Sequence, residues 1–301
     1  LDYLSLLVSL VSYILILQSA FKLISFVYKR LRPRKDLLKK YGRGSWALVT
    51  GGTDGIGKAC CFELASIGFN ILIVSRNEQK LKKTCDEIKS KYMVLTEYLA
   101  IDFDKIESTY SNYLFLFSDS FTSKNITVLV NNVGTAYPNK LIDVPEDECS
   151  SIIKLNCYPQ VHLSHIYLQH RTEKGAIINF SSLSAETPLQ YFNLYAPTKK
   201  FNDFFSKGLS LEYPNLDIIS VRPSAVDTKL SQMKESFFVS TNPETCVKGI
   251  FDDMGYEIET HGYWVHSVHS YIISFLPEWL VVWIAEKMLG QILKERTTKT
   301  E

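Results

Sequence analysis

The chain has 301 residues, a formal net charge of +1 and 46% hydrophobic residues. That length holds one α/β domain of about 200–250 residues with extra segments at its ends, and a near-zero charge excludes a nucleic-acid binder driven by phosphate neutralisation. The six cysteines (Cys60, Cys61, Cys85, Cys149, Cys157 and Cys246) form no CxxC pair and no cluster with His at ligand spacing. They read as buried thiols of a reducing compartment, and no metal is expected. Glycosylation matches at Asn125 and Asn179 fall in or beside core strands, where a glycan would have to be buried. Leu1 rather than Met opens the sequence, as in a trimmed chain.

In chain order, the first predicted element is a long apolar helix. From Tyr3 to Phe21 no residue is charged, and only Lys22 interrupts the apolar run up to Tyr28. As a helix the uncharged run rises about 28 Å, close to the thickness of a hydrocarbon core. Lys29, Arg30, Arg32, Arg34, Lys35, Lys39, Lys40 and Arg43 follow at once. A signal peptide carries its bases before the apolar run, so this pattern reads as a membrane anchor with a basic collar. Positive charge after the span places the remainder on the cytosolic side.

From Ser45 onward short apolar runs alternate with longer helical stretches. The runs Trp46–Thr50, Ile71–Ser75, Val94–Ala100, Ile126–Asn131, Ala176–Ser181 and Leu216–Val221 read as strands. Ile56–Ile67 and Asn193–Glu212 read as crossover helices. The alternation predicts an α/β fold, a doubly wound parallel sheet of the Rossmann type. In the apolar tail, Tyr271–Leu276 and Trp279–Ile284 are split by Pro277, and each is too short to span a bilayer. The tail is expected to lie on the membrane or to cover the substrate. Three segments result: residues 1–43 as anchor and collar, 44–255 as the nucleotide-binding domain, and 256–301 as an apolar extension.

The first predicted strand ends in Thr50-Gly51-Gly52-Thr53-Asp54-Gly55-Ile56-Gly57 and runs into a helix. Glycines there let backbone approach a pyrophosphate, while the helix N-terminus offers N–H groups and a positive dipole end. An NAD site places a carboxylate after the second strand for the ribose 2′-OH. Here Ser75-Arg76-Asn77 offers a guanidinium suited to a 2′-phosphate, so NADP(H) is the expected cofactor. Asp102, after the third strand, is placed to bond the adenine. Tyr195-Ala196-Pro197-Thr198-Lys199 sets a phenol and an ammonium four residues apart on one helix face. A nearby ammonium lowers a phenol's pKa and suits it to general acid work on a ketone oxygen.

Thirteen residues before Tyr195 stands Ser182, preceded by Asn131-Asn132-Val133-Gly134 and Asn156. Over residues 45–255 this order resembles the short-chain dehydrogenase/reductase family, whose pattern is TGxxxGxG, NNAG, Asn, Ser and YxxxK. The resemblance implies that Ser182 orients the carbonyl, that Asn156 holds a water linking Lys199 to solvent, and that Asn131 stiffens the sheet. By the same resemblance Gly51, Thr53, Asp54, Gly55, Ile56, Gly57, Ser75, Arg76, Asp102, Asn131, Tyr195, Lys199 and Pro223 contact the cofactor. Three positions depart from the pattern: Val133 replaces the Ala of NNAG, Ser224 replaces Gly after Pro223, and Pro197 lies inside the active-site helix.

Thr50–Lys58, Ile73–Leu81, Phe201–Phe205 and Gly262–Pro277 look like the microsomal branch of 17-beta-hydroxysteroid dehydrogenases and very-long-chain 3-oxoacyl-CoA reductases. That likeness implies an endoplasmic reticulum membrane protein, working as a homo-oligomer beside elongation enzymes and membrane lipid. The implied substrate is a fatty acyl-CoA or a steroid; a catalytically silent membrane scaffold is the reading from another class. Many members end in a dilysine signal, which Thr298-Lys299-Thr300-Glu301 lacks.

Overall fold

In the computed structural model, which describes residues 2–171, 174–231, 233–236 and 238–287, the apolar N-terminus is one helix, α1 (Tyr3–Leu31). Its apolar residues occupy every face and none is buried, as a helix long and apolar enough to cross a membrane requires. The chain divides into two compact units, Leu1–Lys35 and Asp36–Glu301.

The second unit opens with α2 (Leu37–Tyr41), capped by Asp36, whose carboxylate accepts from the Lys39 N–H at 2.9 Å. Leu37 and Tyr41, four apart on one face, are buried in the core, and the Tyr41 hydroxyl donates to Asp217. Lys40 pairs with the same carboxylate. The boundary drawn at residue 43 is therefore corrected: an apolar pair at helical spacing pulls the second half of the basic stretch into the folded unit.

Seven parallel strands make the main sheet, in the order β3-β2-β1-β4-β5-β6-β9. They are β1 (Trp46–Thr50), β2 (Asn70–Ser75), β3 (Thr96–Ala100), β4 (Ile126–Asn131), β5 (Ala176–Phe180), β6 (Asp217–Val221) and β9 (Glu259–Thr260). The strands of residues 46–221 match the apolar runs of the sequence to within two residues. β9 lies past residue 255, where the sequence reading closed the domain; it extends the sheet through Val221, which is in register with Thr260. Alternate residues of β1 feed opposite faces. Ala47 and Val49 pack with α3 (Gly55–Ile67), α4 (Glu78–Lys91) and α8 (Pro243–Asp253); Trp46 and Leu48 pack with α5 (Tyr110–Ser123) and α6 (Glu146–His170). α7 (Tyr195–Glu212) joins that second layer through Leu209.

Strand order reverses between β1 and β4, which opens a crevice at the carboxyl ends of the strands. A small parallel pair, β7 (Ala225–Val226) and β8 (Ser240–Thr241), borders it. Beyond β9 come α9 (Trp264–Ile273) and a helical stretch at 278–287, broken at Pro277 as the sequence suggests. The end of the 256–301 extension, from residue 288 on and including the Thr298–Glu301 tail, lies outside the described residues.

Candidate active site

The Gly-rich turn is built by the chain's own packing. Gly51 and Gly55 have φ of +66° and +50°, the left-handed region that favours glycine. A Cβ on Gly57 would stand 2.3 Å from the Gly51 carbonyl oxygen, so this position admits glycine alone. Asn132 latches the turn to β4: its Nδ2 donates to the Thr50 carbonyl at 3.0 Å, and its own N–H donates to Thr50 Oγ1 at 3.0 Å. Asp54 caps α3, accepting from the Gly55 N–H. Gly55 and Ile56, the first residues of α3, line a cleft of about 480 Å³.

Gly51, Thr53, Asp54, Gly55, Ile56, Ser75, Arg76 and Asp102 line that cleft. Thr53 and Ser75 share a hydrogen bond at 3.0 Å. Arg76 is exposed on the rim. Lys80 and Lys229, to which the sequence reading gave no role, also line the cleft and meet the Asp54 carboxylate at 3.4 and 2.8 Å. Lys229 reaches it from the loop after β7, 175 residues away, a proximity no local pattern signals. Gly57 and Asn131 do not line the cleft. Asn131 is 4% exposed and donates to Asn179 Oδ1 at 2.9 Å and Ser164 Oγ at 3.2 Å, tying β4 to β5 and α6. The buried Asn179 is spent in this network, which leaves no room for a glycan there. The helix end, the glycine cradle and the three cations make a donor set that fits a dinucleotide carrying phosphates.

Next to this cleft is a cavity of about 650 Å³ that holds Ser182, Tyr195, Lys199 and Pro223 in its wall. Ser182, two residues past β5, accepts from the Ser184 N–H at 3.2 Å. Tyr195 opens α7, so Pro197 falls in the first turn, where no N–H is needed. Lys199 is 5% exposed, and its Nζ donates to the Phe180 carbonyl at 3.0 Å and stands 5.5 Å from the centre of the Tyr195 ring. Burial pushes the Tyr195 phenol up to about 12, opposed in part by the Ser182 hydroxyl. Burial pushes Lys199 down to about 8. Desolvation is thus the larger influence on the phenol, while the Lys199 ammonium is aimed at the Phe180 carbonyl. A phenol so placed is protonated at neutral pH and competent to donate.

Asn156 lines neither space. It is 1% exposed, its Oδ1 accepting from the Thr135 N–H at 2.8 Å and its Nδ2 donating to Thr198 Oγ1 at 2.9 Å and the Thr135 carbonyl at 3.0 Å. It locks the loop after β4 against α7. A Cβ on Gly134 would meet Asn156 Oδ1 at 2.8 Å and Lys199 Nζ at 3.5 Å, so Gly134 keeps these two groups close.

The C-terminal extension is fastened over the cavity at two points. The Ser224 N–H donates to His266 Nδ1 at 3.3 Å, and burial drives that imidazole down to about 4 and keeps it neutral. The Ser270 hydroxyl donates to Glu186 at 2.6 Å, and Glu186 pairs with Arg222 at 3.2 Å.

Residues 45–237 match the family model described as short chain dehydrogenase. The chain belongs to the short chain dehydrogenase family. It is accordingly a nicotinamide-dependent oxidoreductase acting on a CH–OH/C=O pair. This dehydrogenase is 39% identical over 250 residues to the very-long-chain 3-oxoacyl-CoA reductase of Bos taurus, covering 80% of this chain and 78% of that one. It is also 34% identical over 281 residues to the inactive hydroxysteroid dehydrogenase-like protein 1 of Homo sapiens, covering 90% and 83%. A solved 7beta-hydroxysteroid dehydrogenase shares the fold with a TM-score of 0.70 at 22% identity, over 80% of this chain and 95% of that one.

Proposed function

We propose that this dehydrogenase reduces very-long-chain 3-oxoacyl-CoA to the 3-hydroxyacyl-CoA with NADPH, as a step of fatty-acid elongation at the endoplasmic reticulum membrane. The observation that carries the reading is the Tyr195 phenol, beside Ser182 and Lys199, in the wall of an about 650 Å³ cavity whose other walls are mostly aliphatic and aromatic. Relatives of 34–39% identity named for that reaction support it. The apolar α1 and the basic residues after it support the membrane, with the catalytic unit on the cytosolic side.

A bound nicotinamide supplies hydride to the carbonyl carbon, and the protein's own residues do the rest. The Ser182 hydroxyl donates to the carbonyl oxygen and fixes its direction. Tyr195 gives that oxygen its proton, and the charge left on the phenol is stabilised by the Lys199 ammonium. Arg76 stands where an NAD site carries a carboxylate, and Lys80 and Lys229 add charge at the same cleft, which supports a 2′-phosphate.

Hydroxysteroid dehydrogenase-like relatives favour a second reading, a keto steroid as substrate. A relative named inactive raises the silent-scaffold reading; the complete set of Ser182, Tyr195 and Lys199 argues for a live site. The full chain in membranes, given NADPH, should turn over a long-chain 3-oxoacyl-CoA faster than estrone at matched concentration. Brisk reduction of estrone with no turnover of any long-chain 3-oxoacyl-CoA would replace the first reading with the second.

A further inference from the structure

In the helical stretch at 278–287 the charged residues Glu278, Glu286 and Lys287 stand at the ends, and residues 279–285 carry no charge. Val281, Ile284 and Ala285 line the cavity beside Tyr195. Trp279 and Trp283, one turn apart on the outer face, are 70% and 53% exposed. A lid that borders water carries polar residues on its outer face, and two neighbouring exposed indoles mark a surface that meets an apolar phase. Ile272 and Ile284 belong to both surroundings: each lines the cavity, yet they remain 50% and 38% exposed. The aliphatic lining of the cavity therefore continues to the outer surface. Lys287 stands 6.0 Å over the Trp283 ring, an aromatic–base pair that suits the boundary between acyl chains and head groups.

The occupant of this face follows from the rest of the chain. α1 has 29 residues, and its apolar window has a mean hydropathy of 2.0 with none of it buried, so a bilayer is the apolar phase held at high effective concentration near this unit. We infer that the outer face of the 278–287 helix and of Ile272 lies in the bilayer interface, and that the substrate's acyl chain enters the cavity sideways from the lipid, past Ile272 and Ile284. The membrane contact stands independently; the entry route rests on the acyl-CoA reading.

Tryptophan emission tests the contact without substrate. The four tryptophans are Trp46, Trp264, Trp279 and Trp283, none of them in α1, so emission reports the catalytic unit. The full chain in phosphatidylcholine vesicles with brominated acyl chains should lose much of the emission it shows in unbrominated vesicles. Trp279→Phe with Trp283→Phe should abolish most of that loss while turnover of a short soluble ketone continues. Equal emission in both vesicles, as a second copy of the chain shielding this face would produce, overturns the contact, and so does undiminished quenching in the double variant. For the route, Trp279→Glu with Trp283→Glu should raise KM for long-chain 3-oxoacyl-CoA several-fold, with kcat and the KM of the short ketone unchanged. An unmoved long-chain KM overturns sideways entry. A wild type that quenches but turns over no long-chain 3-oxoacyl-CoA retires the substrate reading and the route with it, leaving the contact in place.

Discussion

In the proposed mechanism two side chains set the direction of the chemistry. Lys199 sits at about 8 and Tyr195 at about 12, both moved by burial. In carbonyl reduction the phenol starts protonated and gains negative charge, which the ammonium stabilises only while Lys199 keeps its proton, that is, below its pKa. Reductase kcat should therefore be flat below pH 8 and fall as pH rises through it. Alcohol oxidation has the opposite sign, because the phenol must first lose its proton, and its rate should climb with pH. Steady-state profiles in both directions check this; a reductase rate that climbs through pH 8 contradicts it. Arg76 makes a separate claim. Arg76→Asp should weaken NADPH binding and narrow the gap to NADH, measured as dissociation constants, whereas unchanged constants would leave Arg76 a surface charge. Tyr195, Lys199 and Ser182 could be found because their spacing is a pattern of side-chain types. Asn132 stands inside a quoted motif, but its latch onto Thr50 depends on two strands meeting 82 residues apart. Lys229 carries no local signal at all.

At the scale of elements, apolar runs of five to seven residues bounded by helical stretches made β1 to β6 readable. β7, β8 and β9, two residues each, are too short to show a period and exist through tertiary pairing alone. α2 was hidden for another reason: its two buried residues lie within a run of bases that looks like a membrane collar. Its place in the core has a measurable consequence. Leu37 is 1% exposed, so Leu37→Ala should cost about 2–5 kcal/mol through lost burial and a cavity, read from chemical denaturation of the catalytic unit. Unchanged stability would return Leu37 to the collar.

For the whole molecule, sequence pattern reached the Rossmann sheet and the apolar helix, and it singled out Ser182, Tyr195 and Lys199, which the fold gathers in one cavity wall, because each depends on residue type at short spacing. It could not reach the joining of the C-terminal extension to the cavity, which depends on His266 meeting Ser224 and Ser270 meeting Glu186 across 42 and 84 residues. Together these parts set the Tyr195 phenol in the wall of an apolar chamber. The similarity to a relative named inactive makes activity itself the central claim. The most direct measurement is NADPH-dependent turnover of long-chain 3-oxoacyl-CoA by the full membrane-reconstituted chain, wild type against Tyr195→Phe, with cofactor binding measured in parallel. A phenylalanine keeps the ring and removes the proton, so turnover should fall by at least ~100-fold while the cofactor still binds. Equal turnover in the two proteins would contradict the account.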